Sequence, residues 1–188
     1  MKSSKYRDAE ALKDRIAGLR DRLYRVALAW CGDKMLADDL VQETMKAGII
    51  NGAQLRDEKR LSAWLYSILH NNWCQYLRKA KPQTELDDQL PSEGLEPLGA
   101  CQELEVVERV RFAVASLPTD QRQVISLVDL EELSYCEVAQ VLNIPIGTVM
   151  SRLHRARKQL LAKLDEPALE PIPSPNRKIS QNQIRIVK

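Results

Sequence analysis

The stretch Leu117–Leu164, LPTDQRQVISLVDLEELSYCEVAQVLNIPIGTVMSRLHRARKQLLAKL, narrows the possible folds more than any other part of the chain. Leu117-Pro118 opens a helix, because proline lacks only an amide that the first turn leaves unpaired anyway. Ser134-Tyr135-Cys136-Glu137 has the S-x-x-E spacing of a capping box, with Leu133 and Val138 placed to staple the helix entry. A short helix to about Leu142 follows, then the turn Asn143-Ile144-Pro145. Gly147 leaves the start of the next helix unobstructed. Along that helix Val149, Leu153, Ala156, Leu160 and Leu164 fall on one narrow stripe, which must pack inward. The pattern predicts a helix-turn-helix.

Charge is sorted across the same segment. Between Ile146 and Lys163 stand Arg152, Arg155, Arg157, Lys158 and Lys163 and no acid. Asp129, Glu131, Glu132 and Glu137 precede them with no base between. The net charge of the whole chain, +2, would not suggest a nucleic-acid partner, whereas one helix face sorted to positive charge does. Opposite the apolar stripe lie Gly147, Ser151, His154, Arg155 and Lys158, flanked by Met150, Arg152 and Arg157. Residues near the start of such a helix reach base edges while flanking bases hold phosphates. Ser151, His154 and Arg155 are therefore the base-edge candidates, and Arg152, Arg157 and Lys158 the phosphate candidates. Gly147 and Thr148 belong to the same interface at the helix start.

The rest of the chain is also read as helical. Aromatics are 5% of the 188 residues, and the apolar positions recur at helical spacing, so the expected class is all-α. One helix is predicted from about Tyr6 to Trp30 and is broken at Gly32-Asp33. Asp33 caps a second helix reaching about Ile50. Asn51-Gly52 is a turn, and a third helix covers about Glu58–Lys79, with Pro82 closing the domain. Residues 82–100 carry five acids, three prolines and no base, and read as an extended acidic linker. Residues 166–188 read as a Pro-rich, disordered tail. The expected organisation is thus 1–81, a helical domain; 82–100, the linker; 101–165, the helix-turn-helix domain; and 166–188, the tail.

Several classes of chemistry find no support. Cys31, Cys74, Cys101 and Cys136 form no CxxC, and read as reduced structural thiols of a cytosolic protein. No metal-ligand cluster, cofactor motif, nucleophile–base pair or phosphate-binding glycine loop is visible, so no catalytic residue, metal or cofactor is expected. No apolar run has the length of a membrane span, and the charged N-terminus has no signal-peptide core, so a cytoplasmic protein without membrane insertion is expected.

With these residues in place, the chain resembles the RNA polymerase sigma factors, most closely the extracytoplasmic-function (ECF) subfamily of the sigma-70 family. LP-x-x-QR-x-V, LSY-x-E-V-A and IP-x-GTV-x-SRLHRAR are similar to its C-terminal promoter-reading domain. LYRVALAWCGDKMLADDLVQETM and RLSAWLYSILHNNWCQYLRK resemble its N-terminal domain, in the expected order. The likeness covers about Tyr6–Lys81 and Val106–Leu164. It implies a protein that binds core RNA polymerase through the β′ and β subunits, directs it to −35/−10 promoters, helps to melt the −10 region and is held by an anti-sigma factor.

The resemblance also assigns roles. Asp39, Gln42, Glu43 and Lys46 share one stripe of a helix, which alone is only a solvated face. In the family the D-L-x-Q-E segment binds a coiled coil of β′, which implies Asp39, Leu40, Gln42 and Glu43 as the polymerase contact. Asn71, Asn72, Trp73 and Tyr76 beside Arg78 and Lys79 offer stacking surfaces, amides and bases suited to single-stranded DNA. By resemblance they are the −10 contact, with Asn71 near a pocket for a flipped base. Trp64 reads as core from its spacing. By the same analogy the acidic linker threads the polymerase cleft. One position departs from the family: Met150 stands where a Lys or Arg is common. The competing reading is a dimeric helix-turn-helix regulator that acts without core polymerase.

Overall fold

The computed structural model describes residues 2–55, 57–80 and 102–165, and every regular element among them is helical. The N-terminal unit comprises α1 (Lys2–Gly18), α2 (Arg20–Cys31), α3 (Lys34–Ile50) and α4 (Leu61–Ala80), with short 3-10 turns at Gly52–Gln54 and Glu58–Arg60 between α3 and α4. The C-terminal unit comprises α5 (Gln102–Ala115), α6 (Thr119–Ile125), which runs into a π turn over Ser126–Leu130, α7 (Tyr135–Leu142) and α8 (Ile146–Asp165). The acidic segment, Pro82 and the tail lie outside the described residues.

The predicted helix over Tyr6–Trp30 is in fact two. The Leu19 amide bonds to the Ile16 carbonyl at 3.0 Å, one residue short of the α-helical register, and Leu19 sits at φ −94°, ψ −1°. Gly18, a poor helix former, precedes that break. The break lets Ile16 and Leu23 both turn into the core beside Val26, Ala27 and Trp30. Gly32, at φ 72°, ends α2 in the left-handed region that glycine adopts without strain. Asp33 then caps α3 through the amides of Met35 and Leu36. The third predicted helix starts three residues later than expected: Asp57 caps the Glu58–Arg60 turn before Leu61 begins α4.

α3 and α4 approach closely at Gly48, where a Cβ would stand 2.7 Å from a methyl carbon of Leu65. Leu61, Leu65, Tyr66, Leu69 and Trp73 form the buried face of α4. In the C-terminal unit the capping box is formed in both directions, Ser134 accepting from the Glu137 amide and the Glu137 carboxylate accepting from the Ser134 amide. The staple residues Leu133 and Val138 are both buried. Asn143, at φ 53°, ends α7, and Pro145 accepts from the amides of Thr148 and Val149 to start α8. Val149, Leu153 and Ala156 are buried as the spacing requires, Leu160 is half-buried, and Leu164 is exposed, with its carbonyl accepting from Arg109 of α5 at 3.3 Å.

Candidate functional site

Three surfaces carry the predicted residues. On α3, Asp39, Gln42, Glu43 and Lys46 are exposed along one face. Leu40 is not part of it: at 6% exposure it packs in the core with Ala37 and Val41. Helical geometry turns each residue well away from its predecessor, so a leucine beside Asp39 faces inward. Its part in any contact is to hold the stripe from beneath. Gln42 donates to Asp38 at 3.4 Å, and Lys46 pairs with Glu43 at 3.5 Å, both across solvent-exposed turns. The exposed side chains of Met35 and Ile50 bracket the stripe at its two ends. Neither is marked in the sequence, because a single exposed apolar residue gives no periodic signal.

On α4 the predicted −10 cluster splits into two groups. Asn71, Tyr76, Arg78 and Lys79 are exposed. Asn72 instead turns inward and donates to the Thr44 hydroxyl at 3.1 Å, and that hydroxyl donates in turn to the Leu40 carbonyl at 2.7 Å. Trp73 is buried at 2% exposure, and no hydrogen-bond partner for its indole N–H is present among the described residues. Trp73 is thus closed off from solvent, whereas Asn72 is half-buried with its amide engaged. Trp73 still has a part in the surface, because its ring lies 5.6 Å from that of Tyr76 with planes 11° apart. It backs the ring of Tyr76, which is 38% exposed. Trp64 is half-buried against the core, as its spacing suggested.

On α8 the outward face holds Gly147, His154, Arg155 and Lys158, all exposed, with Thr148 and Ser151 half-buried. Ser151 donates to the Thr148 carbonyl at 3.1 Å, so its hydroxyl must rotate away to reach a base. A Cβ on Gly147 would meet nothing within 4 Å of this chain, which leaves that backbone open to approach from outside. Two of the bases are engaged within the protein. Arg157 makes a paired contact with Asp129, at 2.5 and 3.2 Å, and that bond raises its pKa. Arg152 pairs with Asp120 at 3.1 Å. The acids ahead of the helix are thus partly consumed in fixing the orientation of its flanks. His154, Arg155 and Lys158 have no ion pair or hydrogen-bond partner of their own among the described residues.

In the sequence Glu131 is one member of an acidic run. Its side chain is fully buried and is met by Arg22 at 2.7 Å, Arg25 at 3.6 Å and the Tyr66 hydroxyl. Burial, then the hydrogen bond to Glu131, push the Tyr66 phenol far above its ordinary range. His70, also absent from the predicted sites, lies edge-on to Trp30 and 3.3 Å from the Gln123 amide nitrogen, and burial pushes its pKa down. Among the described residues no group of three or more His, Cys, Asp or Glu is placed to hold a metal ion, and no helix is long and apolar enough to cross a membrane.

Comparison with known proteins matches both units. Residues 16–83 match the Sigma-70 region 2 family and residues 108–160 the Sigma-70, region 4 family. The chain is 31% identical to the ECF RNA polymerase sigma factor SigW of Bacillus subtilis over 87% of its own length and 94% of the relative's. It is 34% identical to the ECF RNA polymerase sigma factor EcfG of Rhodopseudomonas palustris over 82% and 86%. Two solved structures share the fold. The sigma factor RpoE, in complex with the anti-sigma factor NepR from Bartonella quintana, superposes with a TM-score of 0.65 at 24% identity, covering 82% of this chain and 97% of that one. CnrH, in complex with the cytosolic domain of CnrY, gives 0.59 at 26% identity, covering 83% and 88%.

Proposed function

The chain belongs to the ECF subfamily of the sigma-70 RNA polymerase sigma factors, and from that membership we propose how its surfaces divide the work. As a sigma factor it binds core RNA polymerase, directs it to −35/−10 promoters and promotes initiation. The observation that carries the residue assignment is the α8 face, where His154, Arg155 and Lys158 stand exposed without a partner of their own among the described residues.

In this reading residues 1–81 hold the polymerase and the −10 element, and residues 101–165 hold the −35 element. Asp39, Gln42 and Glu43 meet basic residues of the β′ coiled coil, with Leu40 supporting them from the core. Asn71 and Tyr76 take bases of the opened −10 strand, the latter backed by Trp73, while Arg78 and Lys79 hold its phosphates. His154, Arg155 and Ser151 read base edges of the −35 element. Lys158 holds phosphate, and Arg152 and Arg157 reach it from positions fixed by Asp120 and Asp129. The chain works by binding and positioning, and we assign it no catalytic group.

An anti-sigma factor holds the chain inactive in this account. It is supported by the folds of RpoE and CnrH, whose solved complexes contain NepR and CnrY. The test is reconstitution. Purified chain is added to core polymerase on templates carrying candidate promoters, and promoter-directed transcripts are expected. Charge reversal at Asp39 and Glu43 should abolish both co-purification with core polymerase and transcription. Retention of both would refute the α3 assignment.

A further inference from the structure

The start of α8 carries two exposed apolar side chains on a helix otherwise sorted to polar and basic residues. Ile146 and Met150 are 42% and 49% exposed, and neither belongs to the apolar core that takes Val149, Leu153 and Ala156. They stand four positions apart, so their side chains lie one above the other on one flank of the helix. His154 continues the same row one turn further on, and Gly147 and Ser151 run beside it. The apolar strip therefore borders the face assigned to the −35 element. A Cβ on Gly147 would meet nothing of this chain within 4 Å, so a partner can come close to the backbone next to both side chains.

A single exposed apolar residue needs no explanation, but two adjacent ones beside a surface that enters a DNA groove do. Met150 stands where Lys or Arg is common in the family. A base on the flank of a reading helix holds phosphate and is indifferent to sequence. A thioether on an unbranched chain cannot replace it. Methionine gains by leaving water against other apolar surface, and its sulfur is only a weak acceptor. The major groove offers one such apolar surface, the 5-methyl group of thymine, since the other base edges present hydrogen-bond donors and acceptors. The base further along the same flank, Arg157, is held by Asp129 at 2.5 and 3.2 Å and leaves the position of Met150 without a charge.

We propose that Met150, with Ile146 beside it, is a specificity-determining residue of this chain that packs on the 5-methyl group of a thymine in the −35 element. The exchange of charge for an apolar contact gives up affinity that is independent of sequence and gains discrimination between thymine and the other bases. The proposal rests on the reading of α8 as the −35 helix.

The test uses core polymerase carrying the full chain. Promoters are selected from a pool randomised across the −35 element, and each thymine of the selected element is then replaced by uracil, which keeps the base pair and removes only the methyl. Promoter binding should fall roughly fourfold at one thymine, the loss expected for one buried methyl group. With Met150→Ala, uracil and thymine should bind alike at that position, while Met150→Leu should keep the difference. Met150→Lys should also abolish the difference and steepen the salt dependence by about one phosphate contact. Selected elements without thymine, or a uracil effect of equal size in wild type and Met150→Ala, would overturn the proposal and leave α8 as the −35 helix. Loss of core-polymerase binding by Met150→Ala, with the uracil effect unchanged, would make the strip a protein contact instead. A pool that returns no −35 preference with the wild type would overturn the reading of α8, and the proposal with it.

Discussion

Arg155 and Arg157 stand two positions apart on α8 and do different work in the folded chain. Arg155 is exposed and unpaired among the described residues, whereas Arg157 ties α8 to Asp129 at the end of the π turn. Arg155→Ala should leave the unfolding midpoint unchanged and alter discrimination among −35 sequences, read by binding to a panel of single-base variants. Arg157→Ala should weaken binding evenly, reduce its salt dependence, and cost about 0.5 kcal/mol of stability, as exposed pairs do. On α4, Trp73→Ala should cost about 3–5 kcal/mol through the cavity it leaves. Tyr76→Ala should cost far less, yet reduce the permanganate-reactive open −10 region. At this scale the sequence was legible only in part. The periodic stripe placed Val149, Leu153 and Ala156 correctly, because burial of apolar side chains is a local rule. The inward turns of Leu40, Asn72 and Trp73 were not legible, because Trp73 lies off the main apolar stripe and a motif does not mark which of its residues the helix buries.

Within single elements local chemistry acts most visibly. The Ser134–Glu137 capping box fixes where α7 begins and therefore how α8 is presented, and both halves of it form as the S-x-x-E spacing predicts. Ser134→Ala should cost about 1 kcal/mol. The Glu137 pKa is lowered, first by the Ser134 hydroxyl and then by the Ser134 amide. Its stabilising contribution is therefore complete above the unfolded carboxylate value of about 4.3 and is lost as pH falls through the lower folded value. Glu137→Gln should flatten that acidic limb of the stability–pH curve, measured by thermal unfolding between neutral pH and pH 3. An unchanged limb would remove Glu137 from the account. The break between α1 and α2 was not legible, because Gly18 within a helical pattern is tolerated as often as it interrupts. What decides it is the packing of Ile16 and Leu23 into one core, which is a tertiary demand.

At the scale of the whole molecule, the all-α class followed from periodicity alone, while the closed arrangement of its halves did not. Arg22 and Glu131 are more than a hundred positions apart, and nothing local marks Glu131 as different from Asp129 or Glu132. The charge sorting that first suggested DNA is likewise reshaped by tertiary contacts: Asp120 and Asp129 hold Arg152 and Arg157, leaving the centre of the α8 face unpaired among the described residues. The central claim is that this chain reads two promoter elements on behalf of core polymerase, with α8 taking the upstream one. The most direct measurement is run-off transcription by purified core polymerase with wild-type chain or Arg155→Ala, on templates in which the −35 element is varied while the −10 element is held constant. The account predicts transcription that requires the chain, with a −35 preference changed by Arg155→Ala. A chain that gives no transcript, yet binds a palindrome tightly as a dimer without polymerase, would contradict it.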